Sequence, residues 1–423
     1  MSRDIPRLIL KHIPAWTLLN GGARVILDSI KNRTPLEWGL ILFAFVLPLS
    51  VASETILFCC LAVWLCSVLR DPRVRWKDLR SNSYLVPVIA FAVVALLTIL
   101  WSVRPAETLQ RVHRLLIPCV ILLMGDVYRR PSSRTSGVLE PIFAFLCGCA
   151  VLGLYDLFRI PRTGLSHGAL FQAGNMRDPQ MYLVGLCLLL AVGASNIRRE
   201  WIPLIWSGAA LFSGGILLHF KRGVWFSIAA VFALFSLLTK AWRLSALLGA
   251  IAAVVFLIPS LRQPICQRVS DVQDLWDKDV GGRYALWMEV APKLLPQYPL
   301  GMGYCAVVNE DFAEHTDYVQ AKLDHMHNNL LQITLETGIA GALTWLLWMG
   351  TALVVMCRHL NVRSKHLSAR LRIGLLSAFV GLMLNGMVEY NFGDTEILML
   401  LCFLMGASVS EPVVQNNECR NTK

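Results

Sequence analysis

Apolar runs of roughly 16 to 20 residues, separated by short polar connections, recur along almost the whole chain. Each is long enough to cross a hydrocarbon core of about 30 Å as a helix. None shows the ten-residue apolar/polar alternation of a membrane strand. In lipid the backbone must satisfy itself within the segment, which a helix does. The pattern predicts an all-α, polytopic integral membrane protein of about twelve transmembrane helices. They lie near 36–53, 54–69, 84–101, 109–124, 138–157, 180–196, 201–219, 222–239, 243–260, 330–356, 371–391 and 393–410. One long polar excursion, 261–329, falls between helices 9 and 10. The chain then reads as an N-terminal segment 1–35, helices 36–260, the loop 261–329, helices 330–410 and a tail 411–423.

Composition agrees: 56% of the 423 residues are hydrophobic and 16% charged, against about 25% charged in soluble domains. The net charge of +11 would suit nucleic acid, but beside membrane spans positive charge reports topology instead. The connections of one side, with the two tails, hold 25 of the 39 lysines and arginines. The other side holds 14, six of them in 261–329. Both termini are therefore expected in the cytoplasm, and the long loop outside, in the periplasm of a Gram-negative host. No short apolar core with an A-x-A cleavage site opens the chain, so no removed signal peptide is expected. Segment 1–35 reads equally as an amphipathic surface helix or a disordered tail. The twelve cysteines show no metal-ligand spacing. Cys266 and Cys305, in the external loop, are open to a bridge or to buried thiols.

Several chemistries lose their signature. There is no phosphate loop and no H-E-x-x-H, no G-x-S-x-G, and no histidine set at zinc spacing. The acidic run Asp271, Asp274, Asp277 and Asp279 lacks the glycine and final glutamate of a calcium loop and reads as a solvated face. What remains is external arginine with external histidine. His219, Lys221 and Arg222 break the charge rule at the outer end of a span, where arginine is costly unless paired or functional. Arginine's fork suits phosphate oxygens and histidine suits proton transfer near neutrality. Taken alone, His315, His325 and His327 are also compatible with ordinary loop residues.

Four segments in order add to this. His327-Asn328 followed after nine residues by Gly338-Ile-Ala-Gly341, the run from Arg283 to PLGMGY, KRGVW at 221–225, and GMVEYNFGDTEILML at 386–400 together resemble the O-antigen ligase and polymerase superfamily. Within it the chain resembles the ligase branch, although Ala342-Leu343 intervene where that branch often continues directly with Thr-Trp. The resemblance implies an inner-membrane glycosyltransferase whose active site faces the periplasm, with no metal and no nucleotide or other cofactor. The donor would be an O-antigen glycan on undecaprenyl diphosphate, and the acceptor a sugar hydroxyl of lipid A-core. By the same resemblance His327 would be base or hydroxyl-orienting group, and Arg283 and Arg222 would hold the diphosphate. Substrate contacts are expected from Arg162, Arg177, Lys221, Asn328, Glu389 and Asp394. For the two acids, packing or ion pairing with an arginine is an equal alternative. Gly338 and Gly341 would share a helix face and let a neighbour approach. An O-antigen polymerase or a protein O-oligosaccharyltransferase of the same superfamily is the alternative. A transporter would instead place charges at mid-bilayer.

Overall fold

A computed structural model describes residues 33–409 apart from 71, 129–136, 163–173, 241–248, 250–256, 258, 271–282, 284–285, 309–310, 313–324 and 359. Segment 1–32, the acidic run, His315, nearly all of the span expected at 243–260 and the tail from 410 lie outside the described residues. The described chain is helical without a strand. Its helices are α1 (Pro35–Val46), α2 (Ala52–Arg70), α3 (Pro72–Arg80), α4 (Leu85–Leu97), α5 (Pro105–Arg111), α6 (Cys119–Tyr128), α7 (Leu139–Arg162), α8 (Asp178–Gly193), α9 (Ile202–Leu218) and α10 (Arg222–Thr239). They continue with α11 (Pro259–Ser270), α12 (Ala291–Gln297), α13 (Asn329–Cys357), α14 (Leu367–Asn385) and α15 (Thr395–Val409). Among the described residues, seven helical stretches are long and apolar enough to cross a membrane, and four more are apolar but shorter. These eleven overlie the other eleven expected spans. The protein is an all-α polytopic membrane protein.

Its centre is α8, apolar on every side and buried along nearly its whole length against α7, α9 and α14. An all-round apolar helix has no face for water and belongs inside a bundle. Helices such as α2 and α4 instead show apolar side chains outward, among them Val63, Leu65, Val86 and Val93, as lipid-facing surfaces do.

Contacts between connections sort the bundle into two ends. At one end, the Asn196 N–H donates to the Lys365 carbonyl (2.9 Å) and Arg33 pairs with Glu140. At the other, the Val103 N–H donates to the Met302 carbonyl (2.8 Å), Arg104 forks onto Asp311 (2.8 and 2.9 Å), and the Asn175 N–H reaches His219. Residues of the long loop add a small core of their own at this end. Leu286, Val290, Leu294, Met302, Phe312 and Met326 pack together with Leu335 of α13.

Two boundaries differ from the sequence pattern, and both shape the site. The span expected at 371–391 ends at Asn385, so 386–394 is a connection rather than the last turn of a helix. Within α13, Gly338 has φ 70° and ψ −174° and breaks the helix. It therefore does not share a helical face with Gly341. A β-carbon on Gly338 would stand 2.5 Å from the Pro299 oxygen, and one on Gly301 (φ 88°) 2.5 Å from the Gly338 nitrogen. Both positions need the conformations that glycine alone adopts cheaply, and the long loop is seated in the break between them.

Candidate active site

Glu389, in the 386–394 connection, sits at the middle of the candidate site. Its Oε1 lies 2.9 Å from His327 Nδ1 and 3.7 Å from His325 Nε2. Its Oε2 accepts from Arg283 Nη2 at 3.1 Å. The carboxyl is nearly buried, which alone would raise its pKa. The His327 hydrogen bond and the charges of His327, Arg283 and His325 outweigh burial and hold it at about 2. An ionised carboxylate only accepts hydrogen bonds. In neutral His327 this hydrogen bond puts the proton on Nδ1 and leaves the lone pair on Nε2. An imidazole held by a carboxylate in this way is the arrangement that general-base catalysis uses.

His327 is held there by its neighbours. It has φ 48°, a left-handed conformation that costs energy without glycine and occurs at sites where the surroundings impose it. Asn328 caps α13, its Oδ1 accepting from the Leu331 N–H (3.1 Å), while its Nδ2 donates to the Met387 carbonyl (2.9 Å). Each end of that amide makes a bond within the fold, so Asn328 fixes the backbone next to His327. Next to it, Asn329 Nδ2 donates to Asn391 Oδ1 (2.6 Å), and the Asn329 N–H donates to the Gly386 carbonyl (2.8 Å). With the His327–Glu389 bond and the Phe392 N–H donated to Asn329 Oδ1 (3.1 Å), five hydrogen bonds join the start of α13 to the Glu389 connection.

Beneath them lies a buried polar layer. Glu336 accepts from Gln332 Nε2 (2.7 Å), the Cys305 N–H (3.1 Å) and the Tyr390 hydroxyl (3.2 Å). Arg114 reaches from the middle of the Pro105–Tyr128 stretch to the Gly393 carbonyl. Sequence reasoning missed Glu336 and Arg114. Charges inside an apolar run were the available signal, since such residues are rare there and have partners.

Cations surround the carboxylate. Arg283 is mostly buried, and burial pulls its pKa down while Glu389 opposes this. Lys221 feels both Glu389 and Arg268, and burial first, Arg268 second, lower its pKa. Arg268 of α11, which the sequence pattern did not single out, donates to the Phe220 carbonyl at 3.3 Å. Phe220 itself has φ 57°, so the chain turns sharply just before Lys221. Arg222 opens α10, and its neighbour Gly223 lies so close to the 385–388 chain that a β-carbon there would stand 2.7 Å from Asn385 Oδ1 and 3.1 Å from Val388 Cγ2. The structure thus brings Lys221, Arg222, Arg283, His327 and Glu389 to one end of the bundle.

Other expected contacts go elsewhere. Arg177 pairs with Asp178 (2.9 Å) and Glu396 (3.3 Å), and Arg162 stands exposed in the last turn of α7. Asp394 caps α15, accepting from the Glu396 and Ile397 N–H groups (3.0 and 3.2 Å). Burial and the nearby Glu396 push its carboxyl up. Oδ1 serves the helix start. Gly341 makes room for the Thr337 side chain of its own helix, not for a neighbour. Cys266 and Cys305 are both free thiols.

Among the described residues, two groups have the composition and spacing of metal ligands: His325, His327 and Glu389, and the buried set Asp156, Asp178 and His219. The second set is already bonded. Asp156 accepts from Tyr182 (2.6 Å), Arg159 (2.9 Å) and His219 Nε2 (2.9 Å), while His219 Nδ1 accepts from the Asn175 N–H (3.1 Å). It ties α7, α8 and α9 together at this end of the bundle.

Residues 207–346, about a third of the chain, match the family described as O-antigen ligase. The match includes Arg222, Arg283 and His327 and stops before Glu389. Proteins of Rickettsia typhi, Rickettsia prowazekii and Rickettsia felis, provisionally named polysaccharide ligases, are similar to this chain. They are 29%, 28% and 27% identical over 148, 148 and 151 residues. Those stretches cover 32–33% of this chain and 35% of each relative, so the similarity spans about a third of the length of the relatives it matches.

Proposed function

From a membrane bundle whose residues 207–346 are of the O-antigen ligase type, we propose a glycosyltransferase that moves a glycan from undecaprenyl diphosphate to a sugar hydroxyl of lipid A-core. The site would face the periplasm from the inner membrane. One observation carries this reading: His327, Glu389 and Arg283 form one hydrogen-bonded unit, with a free imidazole nitrogen on one side and a guanidinium on the other.

The chemistry follows from that unit. The acceptor hydroxyl approaches His327 Nε2, which takes its proton as the oxygen attacks the anomeric carbon. The bond from that carbon to the diphosphate oxygen breaks, and the electron pair leaves with the diphosphate. Arg283, Arg222 and Lys221 neutralise the charge that develops there. Water is scarce around these half-buried groups, so each contact is worth more than it would be in solution. Glu389 stays ionised throughout, holding the imidazole tautomer and sharing the charge of the imidazolium. Attack opposite the leaving group inverts the anomeric configuration. The cations make the step independent of a divalent metal.

A strain lacking the gene, complemented with wild type or with His327→Ala, tests the proposal on a lipopolysaccharide gel. Loss should leave core without chains and accumulate lipid-linked polymer, and His327→Ala should fail to restore the ladder. Core bearing single repeats would indicate a polymerase instead.

A further inference from the structure

The two oxygens of Glu389 face different partners. Oε2 belongs to Arg283, whereas Oε1 faces two imidazoles whose rings are 4.2 Å apart at 62°. His327 Nδ1 is 2.9 Å from Oε1 and His325 Nε2 is 3.7 Å from it, and all three atoms lie within 4.8 Å of one another. A tetrahedral Zn2+ at about 2.0–2.1 Å from nitrogen and oxygen ligands holds them roughly 3.3 Å apart. The observed spacings bracket that value, so small side-chain rotations close the shell. Two histidines and a glutamate with a fourth position open form a ligand set that zinc accepts.

We propose that His325, His327 and Glu389 Oε1 bind Zn2+, or a similar borderline divalent ion, and that binding switches transfer off. Only the second half rests on the function proposed above. The ion would take the place of the proton on His327 Nδ1. That proton moves to Nε2, with no net gain or loss, and Nε2 then has no lone pair for an acceptor hydroxyl. On His325 the ligating Nε2 requires the proton at Nδ1, so the His327 N–H bond to that atom (3.2 Å) gives way.

Three features set the character of the site. Arg283 keeps its own oxygen, so the ion enters without breaking that pair. Arg283, Lys221 and Arg268 lie around the carboxylate, and their charge weakens the hold on a dication, which makes the site reversible rather than permanently filled. The His325 and His327 side chains are 28% and 19% exposed, so an ion can reach them. The Asp156 set differs on this point: His219 and Asp156 are fully buried.

Zn2+ binding is measured by calorimetry on the full-length protein in nanodiscs. Thiols are alkylated first, since Cys59, Cys66, Cys147, Cys266 and Cys357 are exposed and would compete. The expected result is one site, at least ten-fold weaker in both His325→Ala and His325→Gln. In a transfer assay Zn2+ should inhibit the wild type and EDTA should restore it, while the His325 variants transfer but resist inhibition. Equal affinity in wild type and both variants would overturn the site. A filled site with transfer unimpaired would overturn the switch. If no glycan transfer is found at all, the function proposed above falls, and the binding measurement still decides the site.

Discussion

Gly338 and Pro299 lie backbone against backbone. The Pro299 carbonyl accepts from the Ile339 N–H at 3.2 Å and stands 2.5 Å from where a β-carbon on Gly338 would be. This joint seats the long loop, and with it the helix start that presents His327.

Gly338→Ala is therefore expected to destabilise. An alanine at φ 70° is strained and collides with backbone that has no rotamer to escape into, a combination worth about 1–3 kcal/mol. Were Gly338 an ordinary helical residue, alanine would stabilise by about 1 kcal/mol. Thermal unfolding of the detergent-solubilised protein separates the two outcomes by sign. Gly341→Ala meets only the Thr337 side chain, which can rotate, and should cost less.

Arg283→Lys tests what the guanidinium does. Lysine keeps the charge and loses the fork. If Arg283 stabilises a departing diphosphate, Arg283→Ala should slow transfer about 10²–10³-fold, and the lysine variant should recover little of it. Arg222→Lys should behave similarly. Wild-type rates in Arg283→Lys, with expression unchanged, would reduce Arg283 to a counter-ion for Glu389.

The membrane class and eleven helix positions were legible because a hydrocarbon core imposes one length and one composition on every span. Arg283 and His327 were singled out by the four-segment resemblance, and both contact Glu389 in the structure. The part played by Glu389 was not. The apolar run around it reads as helix through 391, and only the bonds of Asn329 and Asn391 end that helix at Asn385. His327 and Glu389 are 62 positions apart, and nothing local in either segment announces the pairing. Gly338 misled for a related reason: G-x-x-G has the same spacing whether it packs a helix or breaks one. That Asn328 and Asp394 each cap a helix was not legible either, because it shows only in the backbone N–H groups their Oδ1 atoms accept from.

The end of the bundle that carries Glu389 is expected to face the periplasm. Ser270, exposed at the end of α11, is a probe for it. A Ser270→Cys protein, with its other accessible cysteines replaced, should react with a membrane-impermeant maleimide in intact spheroplasts. Labelling only after lysis would reverse the orientation and remove the acceptor proposed here.

Glu389 also fixes a pH dependence. Its carboxyl is held at about 2 in the folded protein, below the value of about 4.3 for an unperturbed glutamate. A carboxyl depressed by folding stabilises the fold fully above the unfolded value, and this contribution drains as pH falls from about 4.3 through about 2. Wild type should therefore lose thermal stability between pH 5 and pH 3 more steeply than Glu389→Gln, whose side chain does not titrate. Between pH 5 and pH 8 Glu389 remains ionised, so the change in transfer rate over that range belongs to other groups. Glu389→Gln should nevertheless be slow at every pH, by about 10²–10⁴-fold, because the amide no longer secures the proton on Nδ1. Equal acid sensitivity in the two proteins, measured by thermal unfolding across this range, would show that the carboxylate is not held by His327 and Arg283 in the folded state.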